Sequence, residues 1–453
     1  MKLASHLLLS GVLTVGAVGV AVSTANAETL QEALTAAYLN NPELAGQRAT
    51  LRATDEGVPQ ALSGWRPTVT LTGEAGRERL ESRGDTEDLD PISGSATVTQ
   101  PLYRGGRTRA ETDSAEALVE AGRENLRSVE QDTFLDVITA YMDVLRDEAV
   151  VQLNGNNVRV LRRELEASED RFRVGEVTRT DVAQAEARLA RSISDLEAAE
   201  GELISSRATY TRVIGNVPTN LQPPPPLPEP PESEEAAVDI ALNENPTIIS
   251  AIRSEEASMH DIRVASGQLL PTLTLEGQAT HAQDSVTRDS NSESYSIVGQ
   301  LSIPLYQSGV VYSQVREARQ VNNVRRIEIE EARRAVREST VQAWEGLQTA
   351  RAQIISNREQ VRANQIALEG VIQEAQVGSR TTLDVLDAEQ ELLDAQVDLV
   401  RTERNEYVAA FGLQAAIGRL TFESLGLTVE PYDPADNYSR VRNKWFGTDG
   451  GLN

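Results

Sequence analysis

The sequence predicts a mainly helical chain with transmembrane β-structure: a unit of long coiled-coil helices plus a β-hairpin, present twice. Three observations predict it. Asn41-Pro42, Pro67-Thr68, Leu71 and Gly73 recur 204 residues on as Asn245-Pro246, Pro271-Thr272, Leu275 and Gly277, and Pro101-Leu102-Tyr103, Val174-Gly175, Asp181-Val182 and Ile214-Gly215 recur at a spacing of 203. A recurrence of that length marks duplication of a whole structural unit. Residues 107–173 and 310–376 form two helical stretches of 67 residues, each about 100 Å long at 1.5 Å per residue, a distance no single globular core spans. Four segments of about ten residues alternate strictly between polar and small or apolar side chains, as strands with two unlike faces do.

Residues 1–27 combine Lys2, an apolar run from Leu8 to Val22 and the small-residue end Ala25-Asn26-Ala27, the three parts of a secretory signal, so the mature chain is expected to start near Glu28. The first unit, 28–218, opens with a helical face of Leu30, Ala33, Leu34, Ala37 and Tyr38. Asn41-Pro42 supplies a cap and a first-turn proline for a second helix reaching about Leu62, with a kink expected at Gly57 and Pro59. The strand at 67–76 sets Thr68, Thr70, Thr72 and Glu74 against Val69, Leu71, Gly73 and Ala75. Arg77–Ser93, charged and carrying Gly84, Asp85 and Pro91, reads as a solvated loop before the second strand at 94–103. After Gly105-Gly106 the long helix runs to Arg173, turns near 174–181 and returns from about Asp181 to Ile214.

Residues 219–231 include PPPPLPEPP, a stiff extended linker. The second unit, 232–420, repeats each step, with strands at 271–280 and 294–303 and a tip near 377–384. Leu347, Ile354, Val361 and Leu368 mark a coiled-coil seam at sevens. The returning helix carries two such rows, Val385, Leu392, Leu399 and Leu386, Leu393, Val400. Two seams require two neighbours, so the helices form a cylinder or sheet. The tail, 421–453, lies outside the repeat, and Tyr432, Tyr438, Trp445 and Phe446 make it either a poorly ordered extension or a belt on the helices near the linker.

A net charge of −26 repels phosphate backbones, and no basic stripe offsets it, which argues against nucleic-acid binding. The absence of cysteine excludes disulfides and thiolate metal sites, and only His260 and His281 follow the signal. No carboxylate falls in a pattern with histidine or a glycine-rich phosphate loop, so neither catalysis nor a cofactor is expected, and Gly105-Gly106 marks a strand-to-helix junction. Strands of about ten residues are long enough to cross an outer membrane when tilted. A lipid-exposed sheet cannot keep open edges, and four strands are too few to close a barrel, so other copies of the chain must supply the rest. The polar face then lines a lumen and the apolar face meets lipid. Two alternatives are a half-buried hairpin on a soluble protein and a secreted coiled-coil scaffold without a pore, which would extract as a soluble rod.

From Leu30 to about Leu420 the chain resembles the TolC-type outer membrane efflux protein family. The resemblance is carried by the repeat, the Asn-Pro near each start, Trp65-Arg66-Pro67 and Leu269-Leu270-Pro271 before the first strands, and Gln100-Pro101-Leu102-Tyr103 and Ile303-Pro304-Leu305-Tyr306 ending the second. The tips Val174-Gly175 and Val377-Gly378-Ser379-Arg380-Thr381 complete it. It implies a homotrimer with a twelve-stranded barrel in outer-membrane lipid on a twelve-helix periplasmic tunnel. It also implies docking to a periplasmic adaptor and an inner-membrane pump of RND or ABC type, for efflux or type I secretion. The subunit number comes from the resemblance alone.

By the same likeness Val174, Gly175, Thr178, Val377, Gly378 and Thr381 would form the adaptor-docking tips. Asp384 and Asp387 would ring the tunnel entrance, and Arg380 would pair with Asp181 across neighbouring helices to hold it closed. Local chemistry also accounts for several of these residues, since Gly175 and Gly378 can end a helix in the left-handed conformation, and Thr178/Asp181 and Thr381/Asp384 have capping-box spacing. One position departs from the family. Members can carry a tyrosine three residues before the second tip glycine, where this chain has Ala375, so a looser or different latch is expected.

Overall fold

Thr29 opens helix α1, Leu30–Asn40, with a capping box: its hydroxyl accepts from the Glu32 amide at 3.2 Å and its own amide donates to the Glu32 carboxylate at 2.8 Å. The computed structural model describes residues 28–82 and 85–449, so the expected signal segment and the end of the tail lie outside the described residues. Asn41 caps α2, Pro42–Asp55, and Asn245 caps its counterpart in the second unit through the Thr247 amide. Each asparagine also has a task that its position in the sequence did not reveal. The Asn41 amide donates to Val213 O and the Asn245 amide to Ala416 O, both at 2.9 Å, which ties the start of each unit to its returning helix.

The expected kink appears as a break at Glu56 before α3, Gly57–Leu62. A 3-10 turn, Ser63–Trp65, then leads into β1, Thr68–Ala75. Residues 77–93 do not form the irregular loop expected from their charge. They contain β2, Glu78–Ser82, and β3, Asp85–Leu89, an antiparallel pair in which Arg79 faces Asp88 directly. Arg79 Nε and Nη2 donate to the two Asp88 oxygens at 2.7 and 3.0 Å, and Arg77 reaches Asp90 at 2.8 Å. Cross-strand ion pairs stabilise this ribbon without apolar alternation, which explains why hydrophobic periodicity missed it.

The remaining strands are β4, Ile92–Arg104, β5, Thr272–Gln283, and β6, Asn291–Ser302, and the sheet order is β1-β4-β5-β6, antiparallel throughout. Pairing of β4 with β5 joins the two units. The register carries Thr70, Thr97, Gln278 and Ser296 in one row and Val69, Val98, Gly277 and Ile297 in the next. Over these rows one face is polar across all four strands and the other apolar. The strands turn into helix through Gly105, whose φ is 65°, and a Cβ there would lie 2.2 Å from Gly267 O. Only glycine permits so close a crossing.

Helix α4, Arg107–Arg173, packs against α5, Arg179–Ile214; α6, Glu234–Glu244, and α7, Pro246–Gly267, precede β5; α8, Val310–Gln376, packs against α9, Thr382–Ala416. Helix α9 also packs against α4, supplying the second neighbour that its two apolar rows require. The main core lies at the level of the linker, where Tyr38, Phe134, Tyr141 and Tyr210 are buried with Leu34, Leu44 and Ile138. A second core joins Ala237, Ile248, Leu347 and Leu413. The tail is a belt. Phe422 packs on Tyr38, the Tyr432 amide donates to the Tyr38 hydroxyl at 2.9 Å, and Arg48 lies over both rings. Helix α10, Asp436–Val441, then docks on α2 through Asn437, which donates to the buried Asp55 at 2.7 Å.

Candidate functional site

Helix α4 leaves the sheet at Arg107 and ends at Arg173, which places its turn about 100 Å from the strands. Both tips use one backbone solution. At Gly175, with φ 82°, the amide donates to Phe172 O at 3.0 Å and the next amide, of Glu176, to Arg171 O at 2.9 Å. Gly378, with φ 77°, does the same with Ala375 O and Ser379 with Glu374 O, both at 3.0 Å. Val174 and Val377, each just ahead of its glycine, are 78% and 80% exposed. Apolar side chains so placed at a helix end are available to a partner surface.

Each tip then reopens with a capping box. Thr178 Oγ1 accepts from the Asp181 amide at 3.3 Å and the Thr178 amide donates to the Asp181 carboxylate at 2.8 Å; Thr381 and Asp384 repeat both distances. Hydrogen bonds from the Thr381 amide and then its hydroxyl hold the Asp384 carboxyl below its ordinary range. The tips differ in charge. Arg380 donates from Nε to Glu374 at 2.9 Å, closing the second turn, and its Nη1 lies 4.0 Å from Asp384. Within one chain Arg380 is thus bound to its own turn, while Asp181 caps α5.

Asp387, one turn beyond Asp384, is paired with Arg188 of α5. This ion pair joins the two hairpins. Next to it Leu161 of α4, Ala185 of α5 and Leu386 of α9 form a small buried plug, flanked by Leu165 and Leu189. Glu389, three residues past Leu386, is pushed up to about 7 by burial, with Glu164 of α4 adding to the shift. Glu374, Arg188, Glu164 and Glu389 were not identified from the sequence. Glu374 meets Arg380 only across the turn, and Arg188, 199 residues from Asp387, meets it only where the two hairpins pair.

Comparison with known proteins places this geometry. A family model described as Outer membrane efflux protein matches residues 33–216 and 237–419, one match per structural unit. The chain is 37% identical over 448 residues to the Outer membrane efflux protein BepC of Brucella suis biovar 1 (strain 1330), covering 98% of this chain and 96% of that protein. It is 28% identical over 429 residues to the Outer membrane protein TolC of Escherichia coli (strain K12), covering 89% of this chain and 85% of that one. The solved structure of the Campylobacter jejuni CmeC outer membrane channel shares its fold, with a TM-score of 0.79 at 15% identity over 92% of this chain and 89% of the other.

Proposed function

We propose, for this chain that belongs to the outer membrane efflux protein family, that three copies join edge to edge into one closed pore with the paired tips as its gate. The protein is an outer-membrane export channel with its helical tunnel in the periplasm, not an enzyme, and it serves adaptor and inner-membrane pump partners. The non-pore scaffold weighed from the sequence is set aside by that membership. One observation carries the closed-pore reading, while the number three rests on the family resemblance. Strands β1 and β6 each have a single neighbour in the four-stranded sheet, while Leu71 and Ile297 on its apolar face are both 81% exposed. Unpaired backbone in hydrocarbon costs several kcal/mol per group, so edges bearing this face need partner strands. Neighbouring copies supply them, β6 of one to β1 of the next. The polar face of Thr70, Thr97, Gln278 and Ser296 then lines the bore, and Val69, Leu71 and Ile297 meet outer-membrane lipid.

At the other end the tips of Val174, Gly175, Thr178, Val377, Gly378 and Thr381 present the adaptor-docking surface. Asp384 repeats around the axis as a carboxylate ring that favours cations, and Asp387 joins it where its Arg188 partner is released. In the assembled entrance Arg380 exchanges its own-turn partner Glu374 for Asp181 of a neighbouring helix. This latch takes the place of a tyrosine at Ala375. Planar-bilayer recording of the purified, heat-modifiable oligomer tests the reading: a resting channel of low conductance is expected, and Arg380→Ser should raise that conductance several-fold. Unchanged conductance in Arg380→Ser would remove the latch, and a monodisperse soluble monomer would remove the pore.

A further inference from the structure

We propose that Arg188, Asp387, Glu164 and Glu389 form a proton-sensitive clasp that joins the two helical hairpins of each subunit just behind the tips. Arg188 is its positioning residue and Glu389 the group that titrates. The inference rests on the gate reading above and adds to it a lock within each subunit.

The geometry comes first. The plug of Leu161, Ala185 and Leu386 is separate from both main cores and draws one residue from each of α4, α5 and α9, so it is where the hairpins meet. Arg188 bonds Asp387 directly across that junction. Glu389 and Glu164 each lie three residues past a plug residue, Leu386 and Leu161, and so share its face. Ser168, one heptad past Leu161, has a fully buried hydroxyl with no partner, and Glu389 Oε2 is likewise buried and unpartnered. A carboxylate that meets apolar side chains and a second carboxylate there keeps its proton to higher pH than in water, because charge without a partner is costly to bury.

The charges around Glu389 fix the sign. Glu164 of α4 faces it, and Arg188 of α5 is taken up by Asp387. With the hairpins apart, Glu389 meets water and returns toward 4.5; with them together it titrates at about 7. The joined state therefore holds its proton more tightly. Opening becomes progressively easier as pH rises from about 4.5 to about 7 and changes little above. Arg188 acts through Asp387 rather than through Glu389, so its removal weakens the clasp at either pH.

The test uses the purified oligomer in a planar bilayer at pH 5.5 and 7.5, with the oligomer band on a gel verifying assembly of each variant. In the unmodified channel the open-to-closed ratio should rise on the order of tenfold between the two. Glu389→Gln cannot ionise and should stay at the low, acid-like ratio at both. Arg188→Gln should open more at both while keeping the pH slope. A Glu389→Gln channel with an undiminished pH response overturns the titrating role, and an Arg188→Gln channel that opens no more than the original overturns the positioning role. No channel activity from the unmodified oligomer at either pH overturns the pore reading and the clasp with it, whereas an active channel with unaltered variants overturns the clasp alone.

Discussion

The belt around the linker and the tips about 100 Å away are made by the same helices, yet they are held by opposite means. At the belt Phe134, Tyr141 and Tyr210 are buried against α1, the tail and the returning helices. Each such side chain contributes roughly 1.5–3 kcal/mol by burial. At the tips the contacts are two backbone turns, two capping boxes, exposed ion pairs and one small plug. Both regions bury a glutamate that titrates near 7, Glu130 at the belt and Glu389 at the junction. Arg48 and Arg127 oppose the shift of Glu130, but at Glu389 the neighbouring charge is a carboxylate. On the proposed reading the tips are the part that opens, while the belt stays joined by its buried aromatic core.

Substitution at the belt should break this contrast most sharply. Phe134→Ala, at a fully buried position, is expected to cost about 3–5 kcal/mol and to lower the melting temperature of the oligomer in differential scanning calorimetry. A tip variant that lowered it as much would reverse the comparison. Next in size is Glu130→Gln. Its carboxyl is raised from 4.5 to about 7 in the fold, so the charged form costs stability from pH 4.5 upward and fully above 7. The amide removes that cost. Thermal melts should show a gain of about 1–2 kcal/mol at pH 8 and none at pH 4, and equal gains at both would mean the effect is packing.

The contrast also tracks what could be read from the sequence. The long helices, the four strands and their two faces were legible because their periodicities persist over ten to 67 residues. The β2–β3 ribbon was not, since charge pairs such as Arg79–Asp88 replace its apolar alternation. The belt role of the tail depends on contacts such as Tyr432 with Tyr38, 394 residues apart, which no local pattern encodes. At the tips the glycines and capping boxes were legible from spacing. The partners Glu374 and Arg188 were not, because each meets its aspartate or arginine only after a helix has reversed direction.

Smaller effects sharpen the account of the tips. Gly378→Val forces a β-branched residue to φ 77° where a Cβ would meet nothing within 4 Å, so the cost is backbone strain alone, about 1–2 kcal/mol. Chemical cross-linking to a candidate adaptor should fall while the oligomer band persists; loss of the oligomer would make the turn purely structural. The smallest expected effect concerns Asp384. Its carboxyl is depressed by the Thr381 hydrogen bonds, so its stabilisation of the first turn of α9 is present above the ordinary carboxyl range and is lost as pH falls through the depressed value. Hydrogen exchange at the Asp384 and Val385 amides should therefore quicken at low pH relative to the intrinsic rate, and Asp384→Asn should show that loosening already at pH 7. Asp181 makes the same two capping bonds at the first tip, so Asp181→Asn should quicken exchange at the Asp181 and Val182 amides in the same way. A larger effect at the second tip would mean that Arg380, 4.0 Å from Asp384, adds to that cap, and equal effects would mean that it adds nothing.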